Sequence, residues 1–140
     1  MKPISIGTLS RETGVKVPTI RYYEQVGLLP APDRAHNNRR TYGPEMVRRL
    51  RFIRHARELG FEVEAIRQLL SLGADPHQSC DEADRIARAH LADIESKIAR
   101  LTALRAEVRR MLDQCAHGEV KDCRVIEVLA DHSLCLSEVH

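Results

Sequence analysis

Between Cys80 and Cys123 the chain carries a heptad stripe that leaves little choice of fold. Ala87, Ile94, Leu101 and Val108 recur every seven residues, and Leu91 and Ile98 form a second column three residues ahead of Ile94 and Leu101. Alternating steps of three and four keep these side chains on one narrow face of a helix, the seam of a two-helix coiled coil. The pattern predicts one helix from Asp81 to about Asp113, with Glu95, Lys97, Arg100, Glu107 and Arg110 on a solvated opposite face. One further heptad step lands on Cys115, so a thiol ends the seam. No other segment is long enough to cover the stripe. The expected cover is the same helix of a second chain.

The thiols follow from that geometry. Cys80 and Cys115 stand 35 residues apart, which is roughly 50 Å of helix, so they cannot share an ion within one chain. An antiparallel pairing about a two-fold near Ile98 brings Cys80 of each chain to Cys115 of the other, at both ends. A parallel pairing leaves separate thiol clusters. The antiparallel arrangement is preferred because it builds two identical sites, each using both chains.

Charge is unevenly divided. Residues 1–75 hold 13 Lys+Arg against 8 Asp+Glu, whereas 76–140 hold 9 against 12. Between 34 and 57 lie eight arginines, with Glu45 the one acid inside and Asp33 just outside, which predicts a basic patch. A basic front and an acidic back suggest nucleic acid at one end and another task at the other. Five aromatics and no Trp argue for an extended helical dimer rather than one large core. Neither a signal peptide nor an apolar run of membrane-spanning length is seen, so a cytoplasmic, nucleoid-associated protein is expected. Four cysteines in a reducing compartment point to metal binding or redox sensing rather than structural disulfides.

Along the front half, Ser5 can cap a helix of about Ile6 to Thr13 that Gly14 ends, and Pro18 suits the first position of a second helix reaching about Val26 and stopped by Gly27. Val17 makes a poor cap for it. Two short helices and a Gly-containing turn are a helix-turn-helix signature, with Thr19, Arg21, Tyr22 and Tyr23 placed for the major groove. The plainer alternative is a packed surface helix with Tyr22 in the core. Asp33 to Tyr42 reads as a hairpin wing about an Asn-Asn turn, or else a solvated loop; Arg39, Arg40 and Tyr42 follow the turn, and the wing's arginines would reach phosphates or a minor groove. A third helix, 44–59, buries Met46, Val47, Leu50, Ile53 and Ala56–Arg57, and a fourth turns Val63, Ile66, Leu69 and Leu70 inward. After the cysteine loop, Val125, Ile126 and Leu129 mark a short last helix. The division expected is 1–75 for DNA, 76–114 for dimerisation, and 115–140 for a metal loop, short helix and tail. The fold class is all-α with a small β wing.

The order ISIGTLSRETGV, TIRYYEQVGLLPAPDR, NNRRTY, LRFIRHARELGF resembles the MerR family of transcription regulators over about residues 4–130. The stretch CDEAD…LADIESKIARL…CAHGEVKDC is similar to that family's metal-responsive branch. The resemblance implies a winged helix-turn-helix homodimer on double-stranded operator DNA. Its metal-free form represses, and its metal-bound form bends and untwists an overlong promoter spacer so that RNA polymerase holoenzyme can start. It also implies operator contacts from Arg21 and Tyr23, with Tyr22 nearby, and from Arg40 and Tyr42 in the wing, helped by Arg34. Most would be phosphate contacts.

Thiolates select soft or borderline ions. Cys115 and Cys123 alone would satisfy Cu(I), and their loop of seven intervening residues resembles that of the family's copper sensors. A third thiolate from Cys80 of the partner subunit, a position that is usually Ser in those sensors, favours a divalent ion: Zn, Cd, Pb or Hg. Coordination number outweighs loop length. His117 is a candidate fourth ligand, and Asp122-Cys123 begins a helix whose N-terminus would favour a thiolate. Cys135 with His132 or His140 reads as a frayed tail or an accessory site. The rival functions are a redox sensor closing a Cys115–Cys123 disulfide and, far behind, an enzyme using Cys115 and His117, which lacks a shaped pocket and oxyanion donors.

Overall fold

The computed structural model describes residues 2–35, 37, 39–115 and 118–135. Among these the chain forms α1 (Ile6–Thr13), α2 (Val17–Gln25), β1 (Asp33–Arg34), β2 (Arg40–Thr41), α3 (Pro44–Glu58), α4 (Val63–Gly73), α5 (Asp81–Asp113) and α6 (Arg124–Ala130). Two compact units result, Met1–Ile86 and Ala87–His140. No helix among the described residues is long and apolar enough to cross a membrane.

In the first unit, Ser5 caps α1 by accepting the Thr8 N–H at 3.2 Å, and Gly14 ends the helix at φ +73°. A side chain there would meet strain in the left-handed region. Val17 is the first residue of α2 rather than its cap. Lys16 occupies the cap position and offers no side-chain acceptor. Leu9, Ile20, Leu28, Leu50, Ile53 and Ile66 are fully buried and pin α1, α2, α3 and α4 around one core, each contributing roughly 1.5–3 kcal/mol through burial. The wing is a two-residue antiparallel ladder, Asp33 opposite Thr41 and Arg34 opposite Arg40. Its far strand is tied to the N-terminal segment by paired Ile4 and Tyr42 backbone bonds of 2.8 and 2.9 Å.

Three arginines of the arginine-rich stretch bond backbone carbonyls. Arg49 Nε donates to the Leu28 carbonyl at 2.8 Å, Arg54 Nη1 to Thr13 at 2.5 Å and Arg57 Nη1 to Phe61 at 3.0 Å. The Thr13 carbonyl belongs to the last residue of α1, where intrahelical partners run out, and Leu28 and Phe61 lie in the turns after α2 and before α4. Donating to a neutral carbonyl leaves each guanidinium its charge, and Arg54 stays exposed. Arg57 itself is exposed rather than on the buried side of α3.

In the second unit the heptad column lies open on the single chain: Leu91, Ile98, Leu101 and Val108 are each more than half exposed. The opposite face is not wholly solvated. Glu107 is 3% exposed and pairs with Arg110 at 3.3 Å, and Arg110 also donates to the Leu134 carbonyl. The heptad reading missed this because α6 and the turn after it fold back onto α5. Within α6 the buried residue is Val128, next to Met111 in the core, while Ile126 and Leu129 face outward.

Candidate DNA surface and thiol centre

α2 presents Arg21 and Tyr22 to solvent and Thr19 half-buried. Tyr22, at 49% exposure, is not a core residue. Tyr23, 5.9 Å away between ring centroids, is the one in the core. It shows only an edge, at a cleft of about 360 Å³ whose lining includes Lys16, Thr19, Arg54 and Arg57. That cleft joins residues from two helices and could not be found by reading α2 alone.

On the wing Arg34 and Arg39 are exposed, and the Arg39 N–H is turned by a bond to Asn37 Oδ1 at 3.2 Å. Arg40 and Tyr42 converge on Glu24 of α2. The Arg40 guanidinium lies 3.1 Å from Glu24 Oε2, and the Tyr42 hydroxyl donates to Oε1 at 2.5 Å. Tyr42 is 1% exposed, so the expectation that it touches the operator is corrected. A carboxylate inside the fold draws the phenol inward, and burial followed by that bond raises its pKa to about 12. Glu24, absent from the sequence-based candidates, is the group that joins wing to helix. Its signal was only a polar residue on a helix whose neighbours are aromatic.

The thiols fall into two places. Cys80 is exposed immediately before α5, its carbonyl accepting the Asp84 N–H at 2.9 Å. Cys115 follows the end of α5, its N–H bonded to Leu112 O at 3.2 Å. Cys123 occupies the N-cap position of α6 after a single 3₁₀ turn, Val120–Asp122. The Cys115 thiol lies within hydrogen-bonding reach of Cys123. The Cys123 thiol is held below its ordinary value, chiefly by the Ile126 N–H, with smaller help from the Val125 N–H and Cys115 against the cost of desolvation. This is the thiolate-favouring setting expected of a helix start. Arg124 Nε bonds Gln114 Oε1 at 2.7 Å and closes the base of the loop.

All four cysteines are free. Two adjacent thiols, one biased toward thiolate, suit a soft cation. Among the described residues no group of three His, Cys, Asp or Glu could hold a metal ion. His117 and His140 lie outside the described residues. Cys135 and His132 line an apolar hollow of about 300 Å³ with Met111 and Val128, and among the described residues they belong to no group of three potential ligands.

A helix-turn-helix with a wing, followed by a long helix with an open seam and a two-thiol loop, defines a DNA-binding regulator with an effector segment. Residues 4–72 match the MerR HTH family regulatory protein model, and residues 47–111 match the MerR, DNA binding model. The chain is 38% identical over 130 residues to heavy metal-dependent transcription regulator 2 of Rhizobium meliloti, covering 93% of this chain and 88% of that protein. It is 39% identical over 128 residues to the HTH-type transcriptional regulator ZntR of Escherichia coli, covering 89% and 90%. The lead(II) complex of the regulator PbrR691 from Ralstonia metallidurans superposes with TM-score 0.79 at 34% identity, covering 90% of this chain and 98% of that one. The chain belongs to the MerR family of helix-turn-helix transcription regulators. Its relatives are regulators rather than enzymes.

Proposed function

We propose that this protein is a metal-responsive transcriptional regulator of the cytoplasm. It works as a homodimer that represses when metal-free and activates when a soft or borderline divalent ion, Zn, Cd, Pb or Hg, occupies a site shared by both chains. The observation that carries this reading is the Cys115–Cys123 thiol pair, which needs one more ligand for a divalent ion. Residues 1–75 bind operator DNA, 76–114 dimerise, and 115–140 bind metal. The open heptad column supports the dimer. The names of relatives support the effector class, since solved neighbours carry lead(II) and mercury(II).

Cys115 and Cys123 of one protomer, with Cys80 of the partner subunit and His117 as fourth donor, would hold the ion, which would supply a soft Lewis-acid centre for thiolates. The remaining work belongs to the chain. Arg21, Tyr22, Thr19, Arg34 and Arg39 meet the operator, and Arg40 and Tyr42 hold the wing against α2 through Glu24. Such contacts position the dimer while sequence preference and switching draw on the deformability of the duplex, whose bending costs several kcal/mol. RNA polymerase holoenzyme, waiting at an overlong spacer, then starts when the dimer distorts it. The reading is tested by in vitro transcription with reduced dimer: Zn(II), Cd(II), Pb(II) or Hg(II) should raise transcript, and Cu(I) alone doing so would make this a copper sensor. Loss of free thiols to oxidant with the same effect and no metal response would favour the redox alternative.

A further inference from the structure

Two arginines from different helices hold the exit of the recognition helix. Arg67 of α4 donates from Nη2 to the carbonyl of Val26, the C-cap of α2, at 2.7 Å. Arg49 of α3 takes Leu28, two residues on. Between them Gly27 sits at φ +81°, and a Cβ there would approach Arg67 Nη1 to 3.0 Å. The guanidinium is therefore pressed against the turn that ends α2. Arg67 is also paired with Glu64 at 3.2 Å, and it lines a hollow of about 420 Å³ together with Gln68, Ser71, Leu72 and Glu82. Glu82 belongs to the first turn of α5. One side chain thus stands between the end of the recognition helix and the start of the long helix, all within the unit Met1–Ile86.

We propose that Arg67 is a positioning residue that passes the state of α5 to α2, so that a shift at the start of the long helix re-aims the recognition helix. This rests on the effector reading above. The physical basis is that a charge-assisted bond to a helix-end carbonyl is short, directional and stronger than a neutral one. An apolar contact at the same place would let α2 and α4 slide. Arg49 fixes the same turn from α3, and so provides a pivot against which α4 can act.

The test uses full-length dimer on operator DNA with Zn(II) and Hg(II) as probes, comparing the wild type with Arg67→Met and Arg67→Lys. Arg67→Met should keep metal stoichiometry and metal-free operator affinity, yet lose about tenfold of the metal-dependent rise in transcription, within the usual range of allosteric coupling. Arg67→Lys, which retains one donor, should recover part of it and guards against a folding failure in the Met variant. Amide exchange at residues 26–29 should quicken in metal-free Arg67→Met. Wild-type coupling in Arg67→Met, or equal loss of affinity with and without metal, overturns the assignment. A wild type that ignores every ion sinks the effector reading and the transmission role together, whereas a metal-responsive wild type with unchanged exchange at residues 26–29 in Arg67→Met overturns the role of Arg67 alone.

Discussion

Tyr42 of the wing donates its hydroxyl to Glu24 of α2 at 2.5 Å, so the wing and α2 share a part-buried hydrogen bond. Arg40 closes the same carboxylate from the other side at 3.1 Å. The wing is therefore a part of the helix-turn-helix rather than a loop beside it.

Replacing Tyr42 with Phe removes the donor and leaves Glu24 with Arg40 alone. A hydrogen bond to a charged group contributes about 1.5–3 kcal/mol, so urea unfolding should show a loss near the lower end, with weaker operator binding because the wing loosens. Unchanged stability and affinity would contradict the shared-bond account.

The same bond makes a pH prediction. The Tyr42 pKa is raised, first by burial and then by Glu24, to about 12, above the ordinary value of about 10. A raised folded value means its stabilisation is complete below the unfolded value and is lost as pH rises through the folded one. Ultraviolet titration should show one tyrosine ionising near pH 12, with stability falling between about pH 10 and that point. The late phase should vanish in Tyr42→Phe.

Glu107→Ala strips the partner from Arg110 inside the second unit. Removing one member of a buried pair typically costs about 3–5 kcal/mol, and the low end is expected because Arg110 keeps its bond to the Leu134 carbonyl. Amide exchange along α6 should rise. A fully solvated Glu107 would have shown neither effect.

Gly14→Ala places a Cβ at φ +73° and against the Arg54 guanidinium that holds the Thr13 carbonyl. The left-handed backbone alone costs roughly 1–2 kcal/mol for an L-residue. Thermal unfolding should report at least that loss, since Arg54 must also move.

Much of this architecture was readable because period and punctuation agreed. The heptad columns bound α5 at Asp81 and Asp113, and Gly14 and Gly27 mark the ends of α1 and α2 where left-handed backbone is needed. What was not legible depended on residues distant in the chain. Glu24 meets Tyr42 across 18 positions and Arg54 meets Thr13 across 41, so no local pattern announces either. Glu107 looked solvated because helical periodicity describes a helix alone and says nothing about a later segment folding back. The thiol pair was suggested by spacing, but the bias of Cys123 toward thiolate comes from the amides of Ile126 and Val125, a consequence of where α6 starts.

The claim that the ion is gripped between subunits is tested most directly with mixed dimers. Chains carrying Cys80→Ser are combined with chains carrying Cys115→Ser, and bound metal is counted on the purified heterodimer under reducing conditions. One tightly bound ion per heterodimer is predicted, because one end regains Cys115, Cys123 and Cys80 of the partner subunit while the other end loses two sulfurs. No tight site in the heterodimer, or full occupancy in the Cys80→Ser homodimer, would contradict the account.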